Sequence, residues 1–249
     1  MAVPASRAVR TEGTTRWLSL AWPIVVAVLL IGITGVRLVD LELDPPFTKR
    51  IGDVSDEGYW AHNARLKALT GAFVQDPFNQ ALTTAPLYTA INALVFSLLG
   101  VSLGTARLVS AVAGVFTLLA GAGVIARTTG NRRWAAAFVA VLGVNDLFFA
   151  YNRIGLVEPT LNLFVFMAFL AFYQGLGSSR LWWFAASGAC FGFAVLTKAT
   201  GVYVLLAFLL AFAMELIVWR TVSARAFAAW VAGMGLPGVA GLTVAWLGF

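Results

Sequence analysis

Long apolar runs alternate with short polar clusters along this chain. Stretches without Asp, Glu, Lys or Arg cover 17–36, 77–106, 108–126, 134–145, 159–179, 181–197, 199–214 and 226–249. The fourth extends to 152 if Asp146 is tolerated inside it. About 20 apolar residues in a helix cross the hydrocarbon core of a bilayer, so the pattern predicts an all-α polytopic membrane protein. A membrane β-barrel would show short alternating segments instead. The first run follows Arg7, Arg10 and Arg16. It is too long for a signal-peptide core, and no small-residue cleavage site follows it. It reads as a retained first span, with residues 1–16 as a cytoplasmic tail.

Charge decides how many runs cross. If 77–106 spans the membrane, the loops holding Arg127, Arg132 and Arg133, then Arg180, then Arg220 and Arg225, fall outside. That reverses the usual excess of arginine and lysine in cytoplasmic loops. If residues 86–103 lie at the interface without crossing, those six arginines are inside, and the short external loops carry only Arg107, Arg153 and Lys198. The second arrangement gives about seven transmembrane helices in a module over 17–249, with a large first external loop at 40–105. It also gathers Asp56, Glu57, Arg107, Arg153, Glu158 and Lys198 on one side.

Inside that loop, "DPPF" at 44–47 predicts a turn. Ser55 is placed to cap a helix over about 56–70, with Asp56 and Glu57 in its first turn, where the dipole favours acids. Tyr59, Trp60, Asn63, Leu66 and Leu69 predict a broad apolar face, with Arg65 and Lys67 off it. A second juxtamembrane helix is predicted over about 86–103.

Composition agrees: 60% of the 249 residues are hydrophobic and 11% charged, and the mean hydropathy is +0.86. The net charge of +6 fits cytoplasmic arginines better than nucleic acid, which is not expected as a partner. Cys190 is the one cysteine, so no internal disulfide forms.

Each charged position has a plain and a functional reading. Asp56 and Glu57 either cap a helix or supply a carboxylate that deprotonates a hydroxyl or helps hold a divalent cation. Arg107 either snorkels or contacts a phosphate. Arg153 and Glu158, in "YNRIGLVEP", either form a local ion pair or serve a site, since a glutamate entering a membrane helix is costly. Pro159 then opens a helix. Lys198 either snorkels or joins these charges. His62, the one histidine, lacks the partners of a zinc site and reads as a helix-surface or substrate contact. Asp53 is a second acid or a turn residue, and Asp146 is ambiguous. A transporter would show broken helices and repeated halves, which the pattern lacks. A non-catalytic lipid-binding or assembly module of the same fold remains the alternative.

"SDEGYWAHNARLKALTG", "TTAPLYTAINALVFSLLGVSLGTARLVSAVAG", "YNRIGLVEP" and "LTKATG", in that order, resemble the N-terminal module of glycosyltransferase family 39. These are relatives of protein O-mannosyltransferases and the aminoarabinose transferase. The resemblance covers roughly 17–225. It implies the GT-C fold and inverting transfer of a sugar from a polyprenyl-phosphate donor to a lipid, glycan or protein acceptor. It places the active site on the external face of a plasma membrane, bacterial or archaeal. It implies Asp56 as the catalytic base beside Glu57. It further implies site roles for Arg107 and Glu158. Beside these, the charges and rings of the same face make Arg153, Lys198, Tyr59 and His62 expected substrate contacts, with Asp56 and Glu158 as the candidates if a divalent cation takes part. Tyr59 stands where the aminoarabinose transferase has arginine. Thr83, Thr84 and Ala85 precede Pro86–Leu87 where relatives carry Lys or His. Members continue past the point where this chain stops, at Phe249, so the C-terminal part of a typical member is absent, and whether the module acts alone stays open.

Overall fold

A computed structural model describes residues 24, 27–43, 56–74 and 81–248. The tail 1–16, the 44–47 turn, Asp53 and Ser55 lie outside them. Among the described residues the chain is a helical bundle without strands. Helix α1 is Ala27–Leu38; α2 is Asp56–Thr70, α3 Ala81–Thr84, α4 Pro86–Leu99 and α5 Leu103–Thr129. Then come α6 (Arg132–Val144), α7 (Asp146–Arg153), α8 (Glu158–Ser178) and α9 (Leu181–Thr197). A 3-10 segment (Ala199–Val204), α10 (Leu205–Ala213) and a π turn (Met214–Val218) form one continuous rod. The bundle closes with α11, Ala224–Gly248.

By length and composition α5, α8 and the Ala199–Val218 rod can each cross a membrane. The pair α6–α7 makes a fourth span, bent by 67°. Among the described residues, adding α1, α9 and α11 brings the total to at most seven. The apolar run 134–145, extended to 152 past Asp146, is thus two helices and not one. Asn145 makes the break: its side chain accepts from the Phe148 N–H at 2.9 Å, capping α7 while α6 stops. An asparagine offering that bond competes with a continuous helix.

Helix α4 has 14 residues, about 21 Å at 1.5 Å per residue and well short of a core of about 30 Å. It ends four residues sooner than expected, at Leu99, because Gly100 turns away with φ 85°. Ser102 then opens α5 with a reciprocal capping box to Thr105. The Glu42 carboxylate also sits here. The Ser102 hydroxyl and the Gly104 N–H hold it below the usual carboxylate range.

Close helix contacts fix the directions of the bundle. Ser110 bonds Leu156, Gly121 faces Phe166 and Gly123 faces Leu170, so α5 and α8 run parallel. Ser187 bonds Ala168 and Gly175 faces Phe184, so α9 returns antiparallel to α8. A core of Phe172, Phe184, Phe191, Phe208, Phe212 and Trp230 joins α8, α9, α10 and α11. These directions put Arg127, Arg132, Arg133 and Arg180 at one end of the bundle, and Glu57, Arg107 and Glu158 at the other.

Candidate active site

The acid pair splits at the first turn of α2. Asp56 is exposed and has no hydrogen-bond or ion-pair partner among the described residues. Glu57 is 4% exposed. Consecutive helix residues point about 100° apart, so one can face out while the next faces in. Glu57 Oε1 accepts from Arg107 Nε at 2.7 Å and Oε2 from Arg107 Nη2 at 2.9 Å. Oε1 also accepts from the Gly155 N–H at 2.8 Å, and Arg107 Nη1 donates to the Leu41 carbonyl at 2.7 Å. One buried fork therefore ties the segment after α1, the start of α2, α5 and the α7–α8 turn together.

Arg107 was expected to offer its guanidinium to a phosphate, but it is 0% exposed and all three nitrogens serve protein acceptors. Glu57, expected beside Asp56 in catalysis, is sealed in the same fork. Arg153 was also expected to contact substrate. It is 8% exposed, and its guanidinium caps the end of α1 through the carbonyls of Val36, Val39 and Asp40.

Glu158 opens α8 with Pro159 beside it, and pairs with Lys198 at the end of α9. Both stay partly open, at 36% and 26% exposure. The Lys198 ammonium lies 5.3 Å from the centre of the Trp60 ring, and Tyr59 meets that ring edge-on at 4.9 Å. Trp60 is four residues after Asp56, so the two share a face of α2. The cluster of Trp60, Lys198 and Glu158 therefore lies one helical turn along from the exposed carboxylate. His62 is half-buried on the same helix. Of the face expected to be apolar, Trp60 packs beside Tyr88, Ile91 and Val95 and Asn63 is buried, but a second contact face adjoins it. It runs through Glu57, Ala61, Ala64 and Ala68, with Ala64 against Ala93 and Phe96. Leu69, expected on the apolar face, is 61% exposed.

A cavity of about 340 Å³ adjoins Glu158, walled by Leu147, Phe148, Tyr151, Asn152, Pro159 and Asn162. Its volume falls in the range of small-molecule sites. Asp56, Arg107 and Lys198 do not line it. Tyr151, Asn152, Asn162 and Trp60 carried no functional signal in the sequence, because nothing in their spacing shows that α7 bends toward α8. Tyr88 of α4 is buried, with its hydroxyl 3.2 Å from Ser110 Oγ. Burial pushes this phenol up to about 12, so it stays neutral and can donate. Among the described residues no three His, Cys, Asp or Glu side chains converge as a metal site.

A bundle of this kind, with a charged cluster at one end of its apolar spans, is a polytopic membrane protein. The family model described as dolichyl-phosphate-mannose-protein mannosyltransferase matches residues 83–244, and the chain belongs to that family. Two solved structures share the fold. The S. cerevisiae protein O-mannosyltransferase Pmt1-Pmt2 complex, bound to the sugar donor, aligns with a TM-score of 0.68 and 19% identity. ArnT from Cupriavidus metallidurans, bound to undecaprenyl phosphate, aligns with 0.64 and 20%. The alignments cover 91% and 90% of this chain but 33% and 42% of those chains. This chain thus spans less than half the length of either. No curated protein matches it in sequence.

Proposed function

We propose that this chain moves a sugar from a polyprenyl-phosphate donor to a hydroxyl of a lipid, glycan or protein acceptor, on the external face of the membrane. The family match over residues 83–244 carries this reading. The two solved relatives support it, one bound to a sugar donor and the other to undecaprenyl phosphate.

In this reading Asp56 is the general base. It is the exposed member of the acid pair, and the Glu57–Arg107 fork fixes the helix start that carries it. Its carboxylate takes the acceptor proton while the acceptor oxygen attacks the anomeric carbon. The bond from that carbon to the phosphate oxygen breaks on the opposite face, inverting the centre and releasing polyprenyl phosphate. The leaving phosphate needs a cation more than an acid, and Lys198, partly open beside Trp60, is placed to supply it. Tyr59 and Trp60 offer ring faces to the sugar, His62 a further contact, and the cavity beside Glu158 a place for it.

The test is transfer of a labelled sugar from a polyprenyl-phosphate donor in reconstituted vesicles. Asp56→Asn keeps the shape of the side chain and removes the base. It is expected to lower turnover by roughly 10²–10⁴-fold while donor retention stays near that of the unsubstituted protein. Near-normal turnover in Asp56→Asn would leave the residue as a helix-dipole contact and end its assignment as base.

A further inference from the structure

We propose that Arg37 and Arg153 are positioning residues: together they hold the break between α6 and α7, and through it one wall of the cavity beside Glu158. Helix α7 supplies Leu147, Phe148, Tyr151 and Asn152 to that wall, so the angle of the break sets the shape of the space. The inference rests on reading the cavity as the donor's place.

Arg37, at the end of α1, is 1% exposed, and its Nη2 donates to the Gly143 carbonyl at 2.8 Å. In an unbroken helix that carbonyl would accept from the N–H of residue 147. Here the Leu147 N–H turns to Asp146 Oδ1 at 2.9 Å, and the side chain from α1 takes its place. The helices meet closely at this point: a Cβ on Gly143 would stand 2.5 Å from Ile33 Cδ1. Arg153 makes the reciprocal tie, from the end of α7 to the Val36 carbonyl in the last turn of α1 and to Val39 (3.0 Å) and Asp40 (3.2 Å) just after it.

Phe149 lies between the two arginines. Its ring centre is 5.2 Å from the Arg37 guanidinium carbon and 5.5 Å from that of Arg153. Each arginine thus joins α1 to the broken span and meets the same ring on α7. Cations at helix C-termini and over an aromatic face are favourable, and both effects strengthen when water is excluded. A planar guanidinium can hold a carbonyl and lie along a ring together; an ammonium offers one compact charge and does this less well.

The test reads the bend directly. Spin labels at Trp134→Cys and Ala150→Cys, in a Cys190→Ala background, bracket the break from exposed positions that do not line the cavity. With a rise of 1.5 Å per residue, straightening a 67° bend lengthens the label separation by about 3 Å. Arg37→Gln and Arg153→Gln are each expected to lengthen or broaden the distance distribution, and Arg37→Lys to restore part of it. In the transfer assay the same glutamine variants should raise the KM for the donor by roughly tenfold, with a smaller change in kcat. If the glutamine variants do not fold, Phe149→Leu keeps apolar bulk and removes the ring; it should broaden the distribution alone. An unchanged distribution in every folded variant overturns the proposal, as does a widened one with an unaltered donor KM. If the unsubstituted protein shows no transfer, the functional reading has failed, and the distance measurement still decides whether the arginines hold the bend.

Discussion

Glu57 and Arg107 show how one side-chain pair joins parts of the chain far apart in sequence. A buried ion pair adds little net stability over a well-packed apolar pair, but removing one partner strands the other charge. Glu57→Gln is therefore expected to destabilise the protein by about 3–5 kcal/mol, read as loss of thermal unfolding temperature in nanodiscs. The double substitution Glu57→Leu with Arg107→Met should lose less than the two single changes added together, because no charge is left unpaired. Additive losses would show that the fork does not couple the two residues. The two acids were legible in the sequence as a pair beside a helix start. Which one faces in was not, because a difference of one residue is a rotation of about 100° that only packing can fix.

The helices pack through small residues where backbones approach. A Cβ on Gly233 of α11 would stand 2.0 Å from the Ala185 carbonyl oxygen of α9, and one on Gly188 would stand 1.9 Å from that of Trp230. Backbone cannot yield as a flexible side chain can, and small residues at such crossings let membrane helices meet. Gly233→Ala is expected to lower stability by about 1–3 kcal/mol through overpacking. Gly235→Ala, two residues on with open space around its Cβ, should be neutral or slightly stabilising, since alanine is the better helix former. Equal effects at both positions, measured by the same unfolding assay, would remove the crossing from the account. The spans themselves were readable as apolar runs. The 67° bend was less so, because the run through residue 152 carries no proline to announce it.

Across the whole bundle charge is divided by end. Arg127, Arg132, Arg133 and Arg180 lie at the end away from the candidate site, all exposed. Exposed Trp134 and Trp182 flank them, at 62% and 51%, and indole rings favour the headgroup level. In the proposed orientation the arginine bias sets this end in the cytoplasm and the site outside. Single cysteines at Thr129 and Val101, in a Cys190→Ala background, are then expected to react with a membrane-impermeant reagent from opposite sides of sealed vesicles. Labelling of both from one side would mean that α5 does not cross as its 27 apolar-rich residues require.

Hydropathy and charge fixed the class of this protein, because apolar runs and the arginine bias are read residue by residue without reference to partners. They placed a helix from Asp56 and marked Glu158 and Lys198 as costly charges at the lipid boundary. Folding settled how the charges are distributed between structure and surface. It enclosed Glu57 with Arg107, turned Arg153 onto the end of α1, and left Asp56 and the Glu158–Lys198 pair open. Those assignments depend on contacts between residues 50 and more than 110 positions apart. No local pattern encodes such contacts. They arise when helices pack and each buried charge must find its partner.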